Sequence, residues 1–175
     1  MNWNFPAGDF TLRLPVTDQD ASALYALMSR QDVVDHIPRQ AMSVDAQAMD
    51  ELRRVAMRFE TREAAFWLVE NGAGELRARI GIQRINWMLR AAQLQWELAD
   101  SSDLAMLQQV LPAVEHFVFS ELGLHRLEMR VCEGATAHED LLTALAFTRE
   151  GVLPAQQEYE GEMISYSLWS RLSTD

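Results

Sequence analysis

The sequence predicts a mixed α/β protein of the α+β type, folded as one layered domain over residues 1–175. Three observations lead there. Segments of period two alternate along the chain with segments of helical period, in the order strand, two helices, three strands, helix, strand, helix, two strands. No internal repeat, low-complexity tract or linker-like change of composition divides them. A chain of 175 residues, 49% apolar and 23% charged, can bury one sizeable core and has little left for a second.

Phe10 to Val16 alternates apolar with polar residues and reads as a strand. Thr17 with Asp20 reads as the cap of a helix that turns Ala21, Leu24, Leu27 and Met28 inward. Pro38 ends the short segment Val33 to Ile37, and Ser43 reads as the cap of a second helix with the stripe Ala48, Leu52, Val55 and Phe59. The opposite face of that helix carries Arg53, Arg54, Arg58 and Arg62. With Asp50 and Glu51 nearby, it reads as a solvated face with pairs such as Asp50–Arg54.

Phe66 to Val69 and Leu76 to Ile85 read as strands joined by Asn71-Gly72-Ala73-Gly74. Ala92 to Leu98 pairs with the second of them across the tip Asn86-Trp87-Met88-Leu89-Arg90. Trp87, Met88 and Leu89 at such a tip point either to a partner or homodimer contact or to a tip folded back on a helix. From Ser102 to Leu122 the period is helical, with Leu104, Leu107, Leu111, Val114, Phe117 and Val118 inward. Pro112 either kinks that helix or sits in the first turn of one that starts late. Leu124 to Cys132 is a strand, and Thr136 with Glu139 reads as a capping box for a helix carrying Ala137, Leu141 and Leu145. Phe147 to Glu158 and Met163 to Trp169 close the chain as an antiparallel pair around Glu160-Gly161.

Composition excludes several classes of function. The net charge of −11 disfavours nucleic acid as a partner. All 15 basic residues are arginine, so Schiff-base chemistry and a phosphate-binding lysine are both excluded. Cys132 is the one cysteine, which rules out an intramolecular disulfide. His36 and His116 lack metal-ligand spacing, and no metal is expected. The apolar runs are too short for a membrane span and the first residues lack the pattern of a secretion signal, so a cytoplasmic protein without membrane partners is expected. Trp3 and Phe5 read either as cover for an oligomer surface or as a poorly ordered terminus.

The stretch with most bearing on function is Trp96 to Ala105. A strand running into a helix N-terminus is a common place for an anionic cofactor, but here the junction carries Asp100 and Asp103 and has neither glycine nor basic residue.

The chain resembles the GNAT superfamily of N-acetyltransferases, in particular the branch that acetylates ribosomal-protein N-termini. The resemblance rests on Leu12-Arg13-Leu14, on Ile80-Gly81-Ile82 with Arg84-Ile85, and on Glu121-Leu122-Gly123-Leu124-His125-Arg126-Leu127-Glu128. Phe147 with Glu150-Gly151, and Tyr166-Ser167-Leu168, complete it. It implies a mixed central sheet flanked by helices on both faces. It also implies transfer of acetyl from acetyl-CoA to an amine, either a peptide N-terminus or a small-molecule amine.

The resemblance places the cofactor beside Leu98, Ala99, Asp103, Leu104, Ala105, Met106 and Ala135. The family's glycine-rich loop falls on Asp103 and Ala105, its asparagine on Ala135 and its serine on His138. The tyrosine that serves many members as acid falls on Leu142, and the branch's strand glutamate on Gln93. Glu97 is then the candidate general base and His138 a candidate assistant. The alternative is a GNAT-fold binding or regulatory module that does not use acetyl-CoA in the usual way, or a cleft for a ligand lacking a pyrophosphate.

Overall fold

The computed structural model describes residues 1–32 and 36–175, so of the segment Val33 to Ile37 only its last two residues lie within the described chain. Its strands are β1 (Phe5–Ala7), β2 (Phe10–Arg13), β3 (Ala65–Glu70), β4 (Leu76–Asn86), β5 (Ala91–Leu98), β6 (Arg126–Cys132), β7 (Thr148–Tyr159) and β8 (Glu162–Leu172). Its α-helices are α1 (Thr17–Met28), α2 (Ala46–Glu60), α3 (Leu107–His116) and α4 (Thr136–Ala144). The strands form one sheet in the order β1-β2-β3-β4-β5-β6-β8-β7. Its neighbours pair antiparallel except β5 and β6, which run parallel over Ala91–Leu94 and Arg126–Met129.

The alternation of β3 explains why both faces are covered. Trp67 and Val69 turn into the large core with Leu107, Val110 and Val114 of α3, while Leu68 turns to Leu24, Leu27 and Leu52 of α1 and α2. Burying a side chain of this size contributes roughly 1.5–3 kcal/mol, so the two faces together hold the layers. Gly81 on β4 is required by packing, because a Cβ there would overlap the Phe66 ring on β3. Among the described residues, no helix is long and apolar enough to cross a membrane.

Several local expectations are corrected. The N-terminus is ordered and packed on the fold rather than loose. β1 pairs with β2, and Trp3 packs against Phe59 and Phe117 at 4.9 and 5.0 Å while accepting the Trp67 Nε1–H at 2.8 Å through its carbonyl. The strand from Phe10 stops at Arg13, and the cap of α1 is Val16 rather than Thr17. Asp20 still contributes, accepting the Val16 N–H at 2.6 Å. At α2 the side chain of Gln47, not Ser43, is the acceptor that receives the Ser43 N–H at 2.7 Å. Its arginine face is solvated, but the pairs are the i,i+3 pairs Asp50–Arg53 and Glu51–Arg54 rather than Asp50–Arg54.

The capping box at Thr136 and Glu139 is not formed, since Ala135 precedes α4 without a side-chain cap. His138 takes the inward position expected of Ala137, because the helix turns 138, 141 and 142 toward the sheet. Pro112 lies inside α3, one turn beyond its start at Leu107; a 3₁₀ turn (Ser101–Met106) precedes the helix and a π turn (Phe117–Glu121) follows it. At the β4–β5 tip, Trp87 folds back and donates its Nε1–H to the Arg62 carbonyl at 2.9 Å, while Met88 and Leu89 stay exposed.

Candidate functional site

The parting of β5 from β6 creates the site. Their pairing ends at Leu94 and Met129, yet β5 continues to Leu98 and β6 to Cys132, so the two strands diverge over their last residues. A cleft of about 460 Å³ opens at that point. Gln93, Leu94 and Gln95 of β5 form its floor, Met129 and Arg130 of β6 and Tyr166 of β8 one wall, and Ile37, Pro38 and Arg39 another. The Tyr166 hydroxyl donates to Gln157 at 3.0 Å, and burial pushes its pKa up, so it is neutral at physiological pH. Sequence reasoning missed Arg39, Arg130 and Tyr166 as cleft residues, since the sheet order and the long connection before α2 bring them together.

Between the diverging strands the gap is bridged from within. The carbonyl of His36 accepts the Cys132 N–H of β6 at 2.8 Å, and its Nε2 bonds the Trp96 carbonyl of β5 at 2.9 Å. The His36 ring stacks on His138 of α4 with centroids 3.9 Å apart, and Trp96 Nε1 donates to His138 Nδ1 at 3.2 Å. An indole N–H can only donate, so Nδ1 of His138 is the unprotonated nitrogen of that ring. His138 is 6% exposed and His36 fully buried.

Glu97 does not line the cleft. It is fully buried on the face of β5 shared with Gln93 and Gln95, with Arg79 of β4 directly opposite in the ladder. Arg79 donates to both carboxylate oxygens, at 2.9 and 2.8 Å, and the Gln95 amide donates to Oε1 at 2.6 Å. Arg79 also reaches Glu51 of α2 at 2.6 Å. Burial alone would push the Glu97 carboxyl up, but the Arg79 guanidinium overrides that and holds it below its ordinary value. A carboxylate so paired is a weak proton acceptor, and Glu97 stands back from the cleft rather than in its lining. Its connection to the cleft is through Gln95.

The strand-to-helix junction is capped by its own side chains. Asp100 accepts the Ser102 N–H at 2.9 Å, and Asp103 accepts the Asp100 N–H at 3.0 Å. Hydrogen bonding from Ser102 holds the Asp100 carboxyl down at about 2. Arg77 forks onto both oxygens of Asp103 at 2.8 Å, and Arg30 reaches the Ala99 carbonyl at 2.8 Å and Asp100 at 3.1 Å.

The remaining residues expected at the cofactor lie in backbone bonds or in the core. Ala99 N–H donates to Arg77 O, Leu98 and Met106 are buried, Leu104 packs against the core, and the Ala105 carbonyl accepts from Leu107. Ala135 donates to the Cys132 carbonyl at 3.0 Å. A pyrophosphate favours free N–H groups without adjacent carboxylates, so Asp100 and Asp103 weaken this turn as a site for one without removing it. Among the described residues, no cluster of three or more metal-ligating side chains occurs.

The sequence profile of the family described as Acetyltransferase (GNAT) domain matches residues 9–148. The chain is 26% identical over 157 residues to the uncharacterized N-acetyltransferase YoaA of Bacillus subtilis (strain 168), covering 89% of each protein. Its fold matches the ribosomal-protein-S5-alanine acetyltransferase from Vibrio fischeri with a TM-score of 0.83 at 17% identity, covering 99% of this chain and 98% of that one. It matches spermidine N-acetyltransferase from Vibrio cholerae, solved with CoA and spermine, with a TM-score of 0.80 at 18% identity, covering 95% and 97%. Mycobacterium smegmatis RimJ in complex with CoA-disulfide gives 0.79 at 20% identity, covering 94% and 82%. At these identities the solved structures establish the fold.

Proposed function

Because the chain belongs to the GNAT acetyltransferase family, whose profile spans residues 9–148, we propose that it is an N-acetyltransferase using acetyl-CoA, and that its acceptor is a peptide α-amine or a similarly weakly basic small amine. The observation that carries the acceptor class is the lining of the cleft where β5 and β6 part. Glutamines 93 and 95 face it from β5, and among its described lining residues there is no carboxylate. A site built to deprotonate an alkylammonium group needs a base poised near neutrality, and Glu97 is held in its ion pair. An α-amine, with a pKa near 8 against about 10.4 for an alkylammonium, already supplies roughly two hundred times more neutral nucleophile at pH 7.

Acetyl-CoA supplies the activated acetyl group; this chain supplies the position of the amine. Gln93 orients the nitrogen by accepting one of its hydrogens, and Gln95 is held rigid between Gln83 and Glu97. Glu97 and Arg79 are positioning residues that fix Gln95. The proton leaves to solvent through the open cleft mouth. The non-catalytic alternative is not favoured by the family match. Met88 and Leu89, exposed at the β4–β5 tip, are the residues through which a homodimer would pack.

The test is acetyl transfer from acetyl-CoA to a neutral tripeptide with a free N-terminus, followed from pH 6 to 9. The expected kcat/KM rises with the neutral fraction of the amine and levels near pH 8, without an earlier plateau. A plateau reached near pH 6, or a rate for spermidine equal to that for the peptide, would refute the acceptor assignment. Failure to transfer to either amine would refute the activity.

A further inference from the structure

The same cleft carries a charge opposite to that of the molecule. Acidic residues outnumber basic ones 26 to 15 in the chain, yet three arginines, Arg39, Arg84 and Arg130, line the cleft. Several arginines elsewhere are closely neutralised: Arg13 with Asp20 at 2.7 Å, Arg77 with Asp103 and Arg79 with Glu97 at 2.8 Å, and Arg126 with Glu150 at 2.6 Å.

The cleft arginines are treated differently. Arg39 rests its Nη1 on the carbonyls of Met28 and Gln40 at 3.5 and 3.3 Å, and among the described residues its buried Nε and Nη2 have no hydrogen-bond partner. Arg130 likewise has a buried Nε with no hydrogen-bond partner among the described residues, and its contact with Glu128 is a long 3.8 Å. Buried guanidinium donors are normally satisfied, because leaving one unpaired forfeits its solvation without return. Two such side chains on the wall of one open cleft suit an oxyanion, which a guanidinium fork recognises by charge and geometry.

We propose that this cleft binds a carboxylate or phosphate group of the acceptor, so that the substrate is an amine whose own skeleton carries a negative charge a few bonds from the nitrogen. An acidic peptide N-terminus fits this chemistry; a polyamine, which needs carboxylates around it, does not. The assignment of the anion to the acceptor rests on the acetyl-transfer reading above, whereas the anion preference of the cleft does not. The phosphates of CoA are the other source of the same oxyanion chemistry, and the test separates the two.

Acetyl transfer is measured for a free-amine tripeptide with glutamate at its second and third positions, for the peptide with glutamine in both places, and for spermidine. The expected order is glutamate peptide first, by at least about tenfold in kcat/KM over its glutamine counterpart, with spermidine slowest. Arg39→Gln, and separately Arg84→Gln at an exposed position, each bring the ratio between the peptides toward one. Circular dichroism checks both folds, and Arg84→Gln decides if Arg39→Gln does not fold.

Equal rates for the two peptides, or preference for spermidine, overturn the proposal while leaving the activity standing. Calorimetry with the glutamate peptide alone, and with CoA alone, supplies the second arm. Peptide binding that disappears in Arg39→Gln supports the acceptor assignment even if no acetyl is transferred. CoA binding that disappears in Arg39→Gln, with the peptide ratio unchanged, assigns the anion to CoA and overturns it.

Discussion

Asp103 has two partners at the strand-to-helix junction: its carboxylate accepts the Asp100 N–H at 3.0 Å and takes the Arg77 fork at 2.8 Å. It thereby occupies the charge and the donors that a phosphate would use. Asp103→Gly removes the carboxylate, releases Arg77 and lets backbone approach a ligand closely. It is expected to tighten acetyl-CoA about tenfold by calorimetry, the effect of removing one unfavourable charge contact at partly screened range. Loss of the cap should cost about 1 kcal/mol of stability, read from urea unfolding. Weaker acetyl-CoA binding in Asp103→Gly would show that the turn already serves the donor.

At the scale of elements, the contact that ties α2 to the sheet is the buried chain Glu51–Arg79–Glu97–Gln95. Removing one charge from such a network strands its partner, so Glu97→Gln is expected to destabilise the fold by about 3 kcal/mol in chemical denaturation at pH 7. The pH dependence has a defined sign. For both Glu97 and Glu51 burial works upward and Arg79 overrides it, so their folded pKa values lie below the ordinary 4.5. Their contribution is therefore complete above pH 4.5 and is lost as the pH falls through the lowered values. Glu97→Gln should flatten the acid limb of stability, and an unchanged limb would refute the assignment.

This pair also shows what was legible in the sequence. Period two placed β4 and β5 and their hairpin, and counting back from the tip could have set Arg79 opposite Glu97. The alternation Gln93, Gln95, Glu97 reads as a solvent face, which it is at the cleft end and not where α2 covers it. By contrast, the stacking of His36 on His138 joins residues about a hundred positions apart, and no local period encodes it. The first strand, Phe5–Ala7, was missed because three residues are too few to show a period.

At the scale of the whole molecule, long-range and local fields oppose each other. The net charge of −11 repels any anionic ligand at a distance, and Asp100 and Asp103 repeat that sign at the junction. Arg39, Arg84 and Arg130 reverse it only within the cleft. The two contributions respond differently to salt, because a Debye length near 10 Å at 0.1 M screens the distant charges while partly buried groups in contact are screened much less. Acetyl-CoA, whose phosphates meet carboxylates at the turn, should therefore bind more tightly as sodium chloride rises from about 20 to 200 mM. A glutamate-bearing acceptor held by the cleft arginines should lose affinity over the same range, or change least. Measuring both KM values across one salt series reads the two fields in a single experiment. If the KM for acetyl-CoA rises with salt, the turn attracts phosphate despite its aspartates; if the acceptor's KM falls in parallel with that of acetyl-CoA, the cleft has no local field of its own.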